Sequence, residues 1–324
     1  MKDIVATAID NTQQANDEAP SSATEEFGLP RFCYIGCGSW GCQRVAAGIA
    51  SRNYDRPPST PLQQLTTGVC IGDEEAISHV RTAEQLSHEA ARASTSGEQD
   101  GRCTQLATAI GETDICLLTL SLTDADAVTT AISLAREIAE MPVLVFAATD
   151  GQHAETALQR LTTAANTTLL FDESVISEGP LGPTTNPVTE LSARLVREFV
   201  TDAVEMPTIS GPIGTQYPRV ASHWDTGGLT IPSIVRVNPA ASTASTLRET
   251  LLPLARTSTE TEAWVGYVVA GKQFTLEEFE QLRTAIQSTV GEHATDGVLA
   301  GRIHPSMDNT RHLTLLQMVG KQSS

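Results

Sequence analysis

From Arg31 onward the chain alternates between apolar runs of strand length and longer stretches with helical spacing, and that alternation leaves few possible folds. The runs are Phe32 to Ile35, Thr67 to Ile71, Ile115 to Leu122, Val143 to Ala148 and Thr167 to Phe171. Between them lie helix-like stretches from Glu74 to Ala93, Asp124 to Glu140 and Ala154 to Ala165. Strands without a polar face are buried on both sides, and helices between consecutive strands are the crossovers of a parallel sheet. The pattern predicts an α/β fold with a Rossmann-like, doubly wound parallel sheet. A long helical segment, Pro187 to Val204, closes this half.

The second half has another rhythm. Strand-like runs at Ser233 to Val237, Ala263 to Val269, Val298 to Ile303 and Leu313 to Met318 enclose helix candidates at Ser242 to Leu254 and Thr275 to Val290. Thr275-Leu276-Glu277-Glu278 has the form of a capping box, in which the Thr hydroxyl and the second Glu satisfy donors at a helix start. Strands outnumbering helices in this way predict a smaller α+β domain. Residues 1–28, rich in Ala, Thr, Asn, Gln, Asp and Glu without an apolar period, read as a disordered tail. The expected organisation is a tail (1–28), a doubly wound domain (29–186), a linking helix (187–206), an α+β domain (207–320) and a short end (321–324). Two domains is also what a length of 324 residues predicts.

The first apolar run leads into Gly36-Cys37-Gly38-Ser39-Trp40-Gly41-Cys42-Gln43, a GxGxxG spacing followed by a helix-compatible stretch to Ala50. A strand, a tight turn and a helix start place free N–H groups where an anion can sit, and glycine keeps Cβ atoms out of the way. The spacing alone is equally consistent with glycines that only let a strand pack closely on its helix.

Charge narrows the partners. Asp and Glu number 39 against 21 basic residues, a net charge of −18, and only three of the basic residues are lysines: Lys2, Lys272 and Lys321. This balance excludes nucleic acid as a partner. Few aromatics, few lysines and dispersed carboxylates read as a surface adapted to high salt, where charge is screened. The six cysteines contain no CxxC pair and read as core thiols. No stretch reaches the roughly 18–20 apolar residues of a membrane span, and the N-terminus lacks a basic-then-apolar leader, so a cytoplasmic location is expected.

The layout and the first loop together resemble the tubulin/FtsZ superfamily, whose loop ends in the same glycine, cysteine and amide as Gly41-Cys42-Gln43. Ala263 to Gly271, Phe274 to Phe279 and Gly297 to Leu316 are similar to that family's C-terminal strand, turn, helix and last two strands. The resemblance covers about Arg31 to Gly320 and implies a haloarchaeal FtsZ-like protein acting in cell division or cell shape.

The departures from the family pattern carry the functional expectation. Where the family grips phosphates with a glycine run, this chain has Leu122-Thr123-Asp124-Ala125-Asp126-Ala127-Val128. Side chains fill the space a phosphate needs, and Asp124 and Asp126 repel it. Ser94 to Gly101 replaces another small-residue loop, and Ala193 stands where the family's guanine-reading acid belongs. The loop that completes catalysis across a filament contact corresponds to Ser210 to Arg219, with Gly214, Gln216 and Arg219 in place of its Asn and two Asp. Without those carboxylates it cannot activate water in the usual way. The expectation is a pseudo-GTPase that binds no cofactor, with Gly36, Gly38, Gly41, Cys42 and Gln43 as a vestigial loop. Its expected partners are proteins, a GTP-binding FtsZ-like relative or further copies of itself. The chain ends four residues past Gly320, so contact with a membrane is expected to be indirect.

Other constellations are weaker. His153, His223, His304 and His312 have no metal-ligand spacing. Asp225-Thr226-Gly227 matches an aspartic protease signature once, in a turn-like setting. Asp124 and Asp126 also suit a cation, although N-capping explains them more simply. The rival class is an oxidoreductase binding NAD(P) at the GxGxxG loop with Asp73 on the ribose, but no catalytic acid or base accompanies it. An atypical active GTPase is the third reading.

Overall fold

The computed structural model describes residues 29–50, 64–77, 84–86, 106, 110–111, 113–150, 154–178, 188–208, 217–225, 228–237, 247, 251–256, 260–291, 294, 296–307 and 311–319. In the first half β1 (Phe32–Cys37), β2 (Thr66–Ile71), β3 (Glu84–Leu86), β4 (Ile115–Ser121), β5 (Val143–Thr149) and β6 (Thr167–Asp172) alternate with helices. These are α1 (Gly38–Ala50), α2 (Glu74–Ile77), α3 (Ala125–Glu137), α4 (Glu155–Ala164) and α5 (Glu173–Glu178). After them come α6 (Val188–Thr208) and α7 (Tyr217–Trp224). The second half holds β7 (Leu229–Val237), β8 (Leu252–Pro253), β9 (Ala263–Ala270), α8 (Leu276–Val290), β10 (Asp296–Ile303) and β11 (Arg311–Met318).

All strands described belong to one sheet, in the order β3-β2-β1-β4-β5-β6-β7-β11-β9-β10, with β8 added to β7. The neighbours from β3 to β6 are parallel. Thr168 opposite Leu229 and Leu169 opposite Thr230 join β6 to β7 in parallel, so the sheet runs unbroken from the first half into the second. There β11 is antiparallel to β7 and β9, and β10 is parallel to β9. The doubly wound sheet expected from the apolar runs is the one observed.

Pleating divides the core. On β1, Phe32 and Tyr34 face a layer that includes α1 and α6, while Cys33, Ile35 and Cys37 face α3 and α4. A third cluster joins α8 to β9, β10 and β11. The capping box at α8 is present as the sequence predicts: Glu278 N–H donates to Thr275 Oγ1 at 3.2 Å, and Thr275 N–H donates to Glu278 Oε2 at 2.8 Å.

Two expectations are corrected. The helix expected over Ser242 to Leu254 does not reach its end, because Leu252 and Pro253 form β8 opposite Ile234 and Ser233. The helix expected over Glu74 to Ala93 ends its described part at Ile77, and Glu84–Leu86 pairs instead with Val69 to Ile71. Strand pairing overrides local preference in both segments. Helix α7 had no sequence signal beyond Val220 and Trp224, spaced i, i+4, and Pro218, which suits a first helical turn. The expected tail at 1–28 and the loop at 94–101 lie outside the described residues.

Helix α6 is buried on more than one side. Leu195, Val196, Phe199, Val200, Ala203 and Val204 join the core layer beneath β1 and β6. Glu198, Asp202 and Glu205, only 1%, 3% and 2% exposed, meet the second half of the sheet. Arg302 on β10 pairs with Glu205 at 2.8 Å, and the Tyr267 hydroxyl donates to the same carboxylate at 3.2 Å. The Thr314 hydroxyl donates to Asp202 at 2.7 Å. Glu198 has Arg194 at 3.3 Å and His312 at 3.5 Å. Carboxylates this deep are tolerable only with such partners.

Candidate functional site

In an open α/β sheet, ligands bind outside the carboxyl ends of the strands where the winding reverses. Here β2 and β3 lie on one side of β1, and β4, β5 and β6 on the other, so the crevice lies above the ends of β1 and β4. Both strands lead into helices of 13 residues, α1 and α3, whose N-termini face it.

The glycines of the first loop have separable roles. A Cβ on Gly36 would lie 2.5 Å from the Gly41 backbone, and one on Gly41 would overlap the Thr119 carbonyl oxygen of β4. These two let β1, α1 and β4 meet backbone to backbone. Gly38 alone has a left-handed φ, 72°, and is the turn itself. Cys42 is buried, and its thiol donates to the Gly36 and Ile71 carbonyls at 3.5 and 3.6 Å, tying the loop to β1 and β2. Gln43 is exposed. Cys33, Cys37, Cys42, Cys70 and Cys116 are free, buried thiols. Burial pushes the Cys37 and Cys116 thiols up, and the Cys42 contact with burial does the same to Cys70.

The opposite rim is the connection from β4 to α3, Leu122-Thr123-Asp124, which contains no glycine. Its backbone donors are engaged: Leu122 N–H bonds the Ala148 carbonyl at 2.8 Å, and Asp124 N–H the Ser121 carbonyl at 3.3 Å. Thr123 N–H bonds Ser121 Oγ at 3.3 Å. Asp124 is the N-cap of α3, with Oδ1 accepting from Ala127 N–H at 3.0 Å. Its Oδ2 occupies the space into which a Cβ on Gly38 would project. One half-buried carboxylate therefore stands directly against the Gly38 turn. Asp126 is exposed on the first turn of α3. Replacing Asp124 by alanine is expected to lower stability by about 1 kcal/mol through the lost cap. Denaturant midpoints of the two proteins measure it, and an unchanged midpoint would mean the cap contributes nothing.

The other sequence candidates are scattered. Gly214 and Gln216 lie outside the described residues, and Arg219 is an exposed residue of α7 whose carbonyl accepts from Ser222 Oγ at 2.8 Å. Ala193 is half-buried on α6. Asp73 is exposed past β2, its carbonyl accepting from Ile77 N–H at 3.1 Å. Asp225 accepts from Asn166 Nδ2 at 2.6 Å, which ties the end of α7 to the start of β6. His153 lies outside the described residues, while His223 pairs with Asp296 at 3.2 Å. Burial, and then Arg302, lower the His304 pKa. Among the described residues no group of three or more His, Cys, Asp or Glu is arranged to hold a metal ion. None of the described helices is long and apolar enough to cross a membrane.

No protein-family model and no curated protein matches this chain in sequence. Solved structures do match its fold. A point mutant of FtsZ from M. jannaschii superposes with a TM-score of 0.74 at 16% identity, covering 91% of this chain and 92% of that one. CetZ1 from Haloferax volcanii, a GDP-bound monomer, gives 0.68 at 13% identity over 90% and 95%. TubZ from Bacillus thuringiensis serovar israelensis, in GDP-form protofilaments, gives 0.66 at 12% identity over 89% and 88%. The chain has the fold of these FtsZ, CetZ and TubZ structures and spans nearly the whole length of each.

Proposed function

We propose that the chain is an FtsZ-like pseudo-GTPase, a structural or regulatory subunit in cell division or cell-shape control that works in high salt without bound GTP. The observation that carries this reading is the β4–α3 connection. A triphosphate needs free backbone N–H groups and room above them. Here the Leu122, Thr123, Asp124 and Ala127 N–H groups have internal acceptors, and the Asp124 carboxylate lies against Gly38. The substitutions at Gly214, Gln216 and Arg219 take away the residues with which a neighbouring subunit would position water.

Assembly is the property such a subunit retains. CetZ2 of Haloferax volcanii, with this fold, was solved as a protofilament bound to GTPγS, and FtsZ of M. jannaschii as an empty dimer. The proposed partners are a GTP-binding relative in the same cytoplasm and further copies of this chain. Charge pairing between Arg219 and the acidic rim contributes only about 0–1 kcal/mol, less in high salt, so the chain alone is expected to form small oligomers or none.

Calorimetry in high salt is expected to show no saturable binding of GTP or GDP at micromolar concentrations, and phosphate release is expected to match buffer. Gln216→Asp with Arg219→Asp should not create turnover, because the phosphate rim stays closed. Stoichiometric GTP binding would overturn the proposal, and saturable NAD(P) binding would replace it with the oxidoreductase reading. Sedimentation with and without GTP tests assembly, and nucleotide-dependent filaments of this chain alone would count against it.

A further inference from the structure

Two of the buried thiols meet across separate elements. Cys33, Cys37 and Cys116 belong to the core layer on the α3 side of the sheet, whereas Cys42 and Cys70 belong to the layer that includes α1 and α6. Cys42 comes from the second turn of α1 and Cys70 from β2. Cys70 is the register partner of Gly36, and a Cβ on Gly36 would lie 2.7 Å from the Cys42 nitrogen. The two cysteines therefore flank the same residue of β1.

Their sulfurs share one gap. The Cys70 thiol donates to the Cys42 carbonyl at 3.6 Å and also hydrogen-bonds the Cys42 side chain. Cys42 Sγ lies 3.6 Å from the carbonyl oxygen of Ile71, the residue after Cys70. Small apolar side chains would fill this gap equally well. A thiol pair adds what apolar groups lack, the capacity to become covalently joined.

We propose that Cys42 and Cys70 form a reversible disulfide when the protein meets a peroxide, locking the first glycine loop onto β2. The Cys42 sulfur gives an electron pair to one peroxide oxygen, the O–O bond breaks, and Cys42 is left as a sulfenic acid with one water released. The Cys70 sulfur then attacks the Cys42 sulfur, the S–S bond forms, and the departing hydroxide takes the Cys70 proton as the second water. Two thiols and one hydrogen peroxide thus yield one disulfide and two waters. The order follows from the contact with Cys42 and from burial, which hold Cys70 protonated. Burial slows the first step, because the thiolate is the nucleophile, but peroxide is small and uncharged and enters during local openings of the core. The second step is intramolecular. Once closed, the bond ties α1 to β2 at the end of the segment from Gly36 to Cys42, whether or not the chain binds GTP.

The full chain, with Cys103→Ser as the background that removes the sixth cysteine, is held in millimolar hydrogen peroxide in high salt without denaturant. Catalase ends the reaction, and the protein is then unfolded, alkylated and mapped by mass spectrometry. The expected result is the loss of two alkylatable thiols, a mass about 2 Da below that of the reduced protein, and a peptide linking Cys42 to Cys70. Dithiothreitol should restore both thiols, and the oxidised protein should show a higher denaturant midpoint than the reduced one. Cys42→Ala and Cys70→Ala should each abolish the linked product. A folding defect in either variant leaves the linkage mapped in the parent to decide. Linkage of Cys33 to Cys116 or of Cys37 to Cys42, oxidation to sulfinic or sulfonic acid without linkage, or no loss of thiols overturns the proposal.

Discussion

Gly41→Val is expected to be the most damaging single substitution in the first loop, lowering stability by about 3 kcal/mol or more. The added Cβ meets the Thr119 carbonyl oxygen, which is backbone of β4 and cannot rotate away, while Gly36 closes the other side. Relief requires separating α1 from β4, and so opening both core layers that meet at β1. With a typical total stability of about 5–15 kcal/mol, the variant should melt far below the parent or fail to accumulate. Gly41→Ala tests the same contact more gently. A denaturant midpoint for that variant within error of the parent would show that α1 does not sit against β4 as described.

Arg302→Ala is expected to cost about 3–5 kcal/mol, because among the described residues it leaves the buried Glu205 carboxylate with the Tyr267 hydroxyl alone as its side-chain hydrogen-bond donor. Removing both charges should cost less than removing one. The double variant Arg302→Met with Glu205→Leu is expected to recover most of the loss, since well-packed apolar groups replace an ion pair at little penalty. A double-mutant cycle by chemical denaturation measures the coupling. Strictly additive single effects would show that the two residues do not act as a pair.

How much of this was legible in the sequence depends on what kind of contact shapes each element. The strands from β1 to β6 that cross the whole core announced themselves as unbroken apolar runs, and the capping box of α8 is a local code of four residues. Strand β3, with only Glu84, Gln85 and Leu86, has no such signal and exists because Val69 to Ile71 lie beside it. The parallel join of β6 to β7 was equally invisible, since it rests on two residue pairs some sixty positions apart.

The site was partly legible. The glycine spacing correctly placed a turn between a strand and a helix, yet only the structure separates Gly36 and Gly41, which permit close packing, from Gly38, which makes the turn. Asp124 was marked from sequence as filling a phosphate position, and as a cap; its contact with Gly38 needed coordinates. The largest miss is the set Glu198, Asp202 and Glu205. Dispersed carboxylates read as a solvated surface in so acidic a chain, and the partners that make burial tolerable, Arg302, His312 and Thr314, lie about a hundred residues downstream.

The buried thiols give this fold a built-in clock. Cys33, Cys37, Cys42, Cys70 and Cys116 sit on β1, α1, β2 and β4 with no surface exposed to solvent. A thiol-specific dye added to the native protein therefore has at most Cys103, the sixth cysteine, to label until the centre of the sheet parts. Further dye consumption marks molecules that have opened, with up to five dye molecules taken up by each. The rate of its consumption reads the breathing of the parallel sheet directly, without denaturant.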